Sequence, residues 1–203
     1  MKIICIGHNY NEHINEMNSE KPEKPLFFLK PDSCILKNNN PFFLPSFSNE
    51  IHHEVELVVR INKLGKNIKA KFASTYYDTI GLGIDFTARD LQEKCKQKGN
   101  PWEISKCFDF SAPVSPIFID INELDLNNIP FSLLLNGKIV QKSNSSDMIF
   151  SINEIITYVS KYMTLKIGDL IFTGTPAGVG PVAIGDKLEA FIGDEKLLDF
   201  NVK

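Results

Sequence analysis

Arginine is almost missing from this chain: of its 22 basic residues, only Arg60 and Arg89 are arginines. The lysines are scattered, and with a net charge of -3 there is no basic stripe to meet a nucleic-acid backbone. The four cysteines, Cys5, Cys34, Cys95 and Cys107, include no C-x-x-C spacing. That spacing suggests neither a zinc site nor a disulfide framework, so they read as free thiols of a reducing cytoplasm. No apolar run is longer than a strand, and the opening Met1–Gly7 is too short for a membrane span or a secretory core. Internal repeats and low-complexity linkers are absent as well. What remains is the expectation of a soluble, cytoplasmic, single-domain protein over residues 1–203, with 43% apolar and 23% charged residues.

The pattern along the chain is richer in strands than in helices. Lys2–Ile6, Leu26–Leu29, Cys34–Leu36, Val55–Ile61, Thr79–Phe86 and Val114–Ile119 all read as strands. Phe131–Leu135 and Lys138–Lys142 flank Asn136-Gly137, the sequence of a type I′ hairpin turn. Asp169–Thr173, Lys187–Ile192 and Leu197–Val202 complete the set. Helices are expected at Tyr10–Asn18, at Arg89–Lys98 with Gly99 as its stop, and from Ser151 to about Tyr162. Ser151 and Glu154 form the last one's capping box. With few β-α-β alternations, the pattern predicts an α+β domain on a curved, antiparallel or mixed sheet.

Chemistry concentrates in Ile51-His52-His53-Glu54-Val55-Glu56-Leu57-Val58-Val59. On a strand, Glu54 and Glu56 share one face and Val55, Leu57 and Val59 the other. Two neighbouring carboxylates in an apolar strand repel each other and lose hydration, a cost of several kcal/mol each when unpaired. Lys or Arg partners, protonation or a divalent cation would each relieve it. Asp85, at the end of the apolar run Ile80-Gly81-Leu82-Gly83-Ile84, adds a third carboxylate in a similar setting. Three carboxylates without a Cys or His set make a hard-oxygen site, which favours Mg²⁺ or Mn²⁺ over Zn²⁺. Such a site leaves about three octahedral positions open, two of which a 2-oxo acid fills as a chelate.

Other motifs carry less. Gly81-x-Gly83 lacks the third glycine of a dinucleotide fingerprint. Gly174-Thr175-Pro176-Ala177-Gly178-Val179-Gly180 has no Gly-Lys-Ser/Thr ending and is no P-loop, although its N–H groups and the Thr175 hydroxyl suit an anion. His52 and His53 have no third zinc ligand at a sensible spacing.

Seven ordered segments carry a resemblance. They are Cys5-Ile6-Gly7-His8-Asn9-Tyr10; His13 with Glu16; Phe28-Leu29-Lys30-Pro31; His52 to Leu57; Asp85-Phe86-Thr87-Ala88-Arg89-Asp90-Leu91-Gln92; Pro101-Trp102 before Lys106; and Thr173 to Gly180. Spanning Cys5 to about Val202, they resemble the fumarylacetoacetate hydrolase family, in particular its short acylpyruvase/oxaloacetate decarboxylase branch. The resemblance implies a mixed β-roll, a homodimer, and Mg²⁺ or Mn²⁺ on Glu54, Glu56 and Asp85. It also implies catalytic roles for His13, Glu16 and Lys106, with His13 and Glu16 on a short helix that closes over the ligand. His8, Lys30, Gln92 and Thr175 are implied as substrate contacts. His8 stands where the family commonly has arginine, so the clamp at that end becomes one whose charge fades near neutrality.

The expected activity is metal-assisted hydrolysis of acylpyruvates to pyruvate and an acid. Loss of electron density from C3 onto the C2 oxygen would be stabilised by the metal and Lys106, and His13, held by Glu16, would activate water. The same centre suits oxaloacetate decarboxylation, oxaloacetate keto–enol tautomerisation and 2-hydroxyhepta-2,4-diene-1,7-dioate isomerisation. A protein that binds metal or 2-oxo acid without turnover would not need His13, Glu16 and Lys106 together.

Overall fold

The β-branched run Val55–Ile61 is a strand with every residue but Arg60 buried, because it is flanked on both edges and covered on both faces. Its sheet has six strands, ordered Leu26–Lys30, Ile3–Gly7, Leu170–Phe172, Val55–Ile61, Tyr77–Ile84 and Ile119–Asp120. Pairing in it is antiparallel except between Ile3–Gly7 and Leu170–Phe172. Side chains alternate along a strand, and here the two faces meet separate apolar clusters. Val55, Leu57, Val59 and Ile61 join the main core with Phe86, Phe131 and Phe200. Val58 joins a smaller cluster of Ile3, Cys5, Cys34 and Phe172. By the same two-residue period Glu54 and Glu56 lie on the Val58 side. Gly83, paired with Glu56, has no room for a Cβ, which would sit 2.5 Å from the Phe172 ring.

The computed structural model describes Met1 to Lys203. A second, antiparallel sheet orders Lys138–Asn144, Pro130–Leu135, Lys187–Ile192 and Glu195–Asn201. Its hairpin turns through Asn136 (φ 53) and Gly137 (φ 75), the paired positive values a type I′ turn requires. Two small sheets link the layers: Gly180–Pro181 with Ile51–His53 and Thr87–Ala88, and Ile35–Leu36 with Ala112–Pro113. Helices occupy Asn11–Glu16, Arg89–Lys98, Glu103–Lys106 and Ile152–Val159. The second ends on Gly99 at φ 65, and Ser151 and Glu154 cap the last reciprocally. The chain is one α+β domain, as its pattern predicts.

Two elements differ from expectation. Val114–Ile119 is not a strand; Ala112–Pro113 and Ile119–Asp120 take its place. Pro116 has no N–H to give a ladder, and Ser115 accepts the Leu82 N–H with its hydroxyl. The last helix stops at Val159, short of Tyr162, as Lys161 and Tyr162 turn back to the carbonyls three residues earlier.

Candidate active site

Antiparallel pairing assembles the carboxylates. Val55 pairs with Ile84, and the Asp85 N–H donates to the Glu54 carbonyl at 2.8 Å. Glu54, in the break between Ile51–His53 and Val55–Ile61, therefore faces Asp85, with Glu56 beside them. All three are buried, and each offers an oxygen within 4.8 Å of the others. Cations surround two of them. Glu54 takes Arg89 Nη2 at 2.5 Å and Lys106 Nζ at 2.8 Å. Asp85 takes Lys106 at 2.8 Å and Lys30 at 2.6 Å. Lys30 approaches Asp85 Oδ1 in charge contact, while its hydrogen bonds run to the Phe86 carbonyl and to the Ser111 carbonyl and hydroxyl. Glu56 has no cation within bonding distance; its Oε2 accepts the Gly174 N–H at 2.6 Å.

The electrostatic consequences diverge. Burial alone would push the Glu54 carboxyl up, but Lys106 and Arg89 hold it well below the usual range. Burial and the charges of Asp85 and Glu54 push Glu56 well above it. Burial opposes the Lys106 charge, and Asp85 and Glu54 more than offset this, so its ammonium titrates above its ordinary value. Of the three ways to relieve crowded carboxylates, cation partners serve Glu54 and Asp85. Glu56 is left to a proton or a metal ion. Glu56 Oε1 makes no hydrogen bond within the protein, and the donor set is all oxygen, so the residues fit a hard divalent cation.

Around this centre lies a pocket lined also by His8, His13, Gln92, Lys96, Trp102 and Thr175. Its empty space is about 410 Å³ including the mouth. His13, buried on Asn11–Glu16, sets Nδ1 3.1 Å from Glu16 Oε2, and Glu16 Oε1 accepts the Gly178 N–H at 3.0 Å. With Nδ1–H donated to Glu16, Nε2 keeps its lone pair. Gln92 accepts from Arg89 Nη1 at 2.6 Å. The Thr175 hydroxyl donates to the Val55 carbonyl and accepts from Gln141, both at 2.9 Å.

Two expected substrate contacts lie differently from expectation. Lys30 is absent from the pocket wall; fully buried behind Asp85, it holds that carboxylate in place. His8 does line the pocket, in the left-handed region at φ 55. Burial, then the charges of Lys96 and His13, lower its pKa to about 4. It is therefore neutral through the physiological range, and the expected loss of its charge near neutrality does not arise.

Two residues escaped the sequence reading. Arg89 stands in one of the resembling segments but carries no expected role, yet it ties Glu54 to Gln92. Gln141, from the distant hairpin, fills all its bonding capacity. It accepts from the Val55 N–H and pairs with His53 Nδ1 at 3.0 Å, and its amide donates to Thr175 and the Pro176 carbonyl at 2.9 Å. Nothing near Gln141 in sequence announces this, because its partners lie at least 34 residues away.

Comparisons with known proteins place the chain among relatives of one family. The family described as fumarylacetoacetate (FAA) hydrolase C-terminal matches residues 2–202. The mitochondrial oxaloacetate tautomerase of Mus musculus is 43% identical over 201 residues, covering 99% of this chain and 91% of its own. The mitochondrial oxaloacetate decarboxylase of Dictyostelium discoideum is 43% identical over 192 residues, covering 94% and 88%. The crystal structure of fumarylpyruvate hydrolase from Pseudomonas aeruginosa, in complex with Mn²⁺ and pyruvate, superposes with a TM-score of 0.93. It is 34% identical, covering 100% of this chain and 89% of that one. No helix here is long and apolar enough to cross a membrane.

Proposed function

The chain belongs to the fumarylacetoacetate hydrolase family, and from that premise we propose a divalent-metal-dependent enzyme that interconverts the keto and enol forms of oxaloacetate. The observation that carries this reading is charge. Three buried carboxylates meet three buried cations, Lys30, Arg89 and Lys106. A divalent ion on Glu54, Glu56 and Asp85 leaves two positive charges in excess, which a doubly charged 2-oxo acid neutralises. Relatives named oxaloacetate tautomerase or decarboxylase support the same substrate.

The bound metal would supply Lewis acidity to the carboxylate and carbonyl at the 2-oxo end. The chain's own groups do the rest. Lys106 fixes Glu54 and Asp85 relative to each other and keeps a cation beside the reacting end. His13 Nε2 takes a proton from C3 and returns it at the C2 oxygen, directly or through a water, while Glu16 steadies the imidazolium. Gln92 has an amide nitrogen without a protein partner, and His8 a neutral ring, so both can donate to substrate oxygens.

The His13–Glu16 pair also favours a second reading, hydrolysis of acylpyruvates, since the same base activates a water. With Mg²⁺ present, loss of enol absorbance from oxaloacetate should exceed the metal-only blank, and should outpace pyruvate release from acetylpyruvate. Faster cleavage of acetylpyruvate would reverse the order of the two readings. A homodimer in the cytoplasm completes the proposal.

A further inference from the structure

Resting on the reading of a 2-oxo dicarboxylate, the geometry points to Lys96 as the residue that selects the second carboxylate of the substrate. Arg89, Gln92 and Lys96 recur at intervals of three and four on the helix Arg89–Lys98, so they share one face. All three line the pocket. Their engagements differ. Arg89 is held by Glu54 and Gln92, and Lys106 by Glu54 and Asp85. His13 is held by Glu16, and Lys30 is off the wall. Lys96 makes no ion pair and no side-chain hydrogen bond, although Glu93 precedes it by three residues; its ammonium lies over the Trp102 ring, 5.7 Å from the centroid.

Lys96 is thus the one lysine or arginine of the pocket with its charge uncommitted. Lys96 is exposed at the mouth, where desolvation and the nearby Arg89 lower its pKa against the opposing charges of Glu54 and Glu93, and its own charge helps to keep His8 neutral. A carboxylate arriving at the mouth gives that charge a partner. Trp102 under the ammonium limits where it can go, and the four-carbon span of lysine lets it follow a substrate into the pocket. A singly charged 2-oxo acid, held at the metal end alone, gains nothing from Lys96.

The test compares Lys96→Met and Lys96→Arg with the wild type, all loaded with Mg²⁺. Binding of pyruvate and of 3,3-difluorooxaloacetate, which has no C3 proton to lose, is measured by calorimetry beside oxaloacetate turnover. Lys96→Met should weaken the difluoro dicarboxylate about tenfold, as expected for one lost charge-assisted hydrogen bond. Pyruvate affinity should stay unchanged, and Lys96→Arg should restore most of the difference. In turnover, KM for oxaloacetate should rise with kcat nearly constant. Equal weakening of both ligands, or of neither, overturns the role of Lys96 while leaving the tautomerase reading intact. Selective weakening of the dicarboxylate in a protein that does not turn over oxaloacetate supports Lys96 and overturns the tautomerase reading.

Discussion

Replacing Glu56 by Gln is expected to reduce turnover at least about a hundredfold while making the metal-free protein more stable. The first effect follows from removing one of three oxygen ligands, a larger change than altering groups outside the ligand set, which itself typically costs ~10–100-fold. The second follows from the position of Glu56, buried beside two like charges with no cation of its own. Its folded pKa is raised above the unfolded value of about 4.3. The folded state therefore binds the proton more tightly, and stability falls as pH rises through that window. Glutamine removes this liability at neutral pH and still accepts the Gly174 N–H. Mg²⁺ should reverse the order: it stabilises the wild type, by about 2.7 kcal/mol at a hundred times Kd, and hardly affects the variant. Denaturation with and without Mg²⁺ at two pH values reads all of this. A variant less stable than wild type without metal, or equally stabilised by Mg²⁺, would show that Glu56 is structural.

His13→Gln is the second large effect, expected at ~10²–10⁴-fold on oxaloacetate tautomerisation. Glutamine keeps much of the volume and can still reach Glu16, so the Glu16–Gly178 bond that fixes the helix Asn11–Glu16 should survive. Decarboxylation of oxaloacetate needs no base at C3, and acylpyruvate cleavage does need one for its water. Tautomerisation and cleavage should therefore collapse together, with decarboxylation much less affected. If all three fall by the same factor, His13 positions the helix and the proton-transfer role is wrong.

The cluster of three buried carboxylates was legible because its logic is local. An E-x-E in a β-branched strand, followed by an aspartate after a second apolar strand, already states the problem of crowded charge. Antiparallel pairing of Val55 with Ile84 then brings the two segments together. The hairpin at Asn136-Gly137 and the stop at Gly99 were legible for the same reason, since one or two residues decide the backbone. What sequence could not give were pairings set only by the tertiary fold. Gln141 reaches the site from the other sheet, and Lys30 reads equally well as a substrate clamp until it is seen behind Asp85. His8 failed differently: its ordinary pKa was assumed, and burial beside Lys96 and His13 changes it. Pro116 in the Val114–Ile119 stretch was visible, but its missing N–H was outweighed by the apolar pattern.

The most direct test of the metal-dependent 2-oxo acid centre is a titration of Mg²⁺ into chelator-treated protein while the oxaloacetate enol signal is followed. Each point is corrected for the same Mg²⁺ without protein, since the free ion promotes this interconversion itself. The corrected rate should start near zero, rise to saturation, and fall again on adding chelator, with Mn²⁺ able to replace Mg²⁺. A full corrected rate in the metal-free protein, or none at saturating Mg²⁺ and Mn²⁺, would contradict the account.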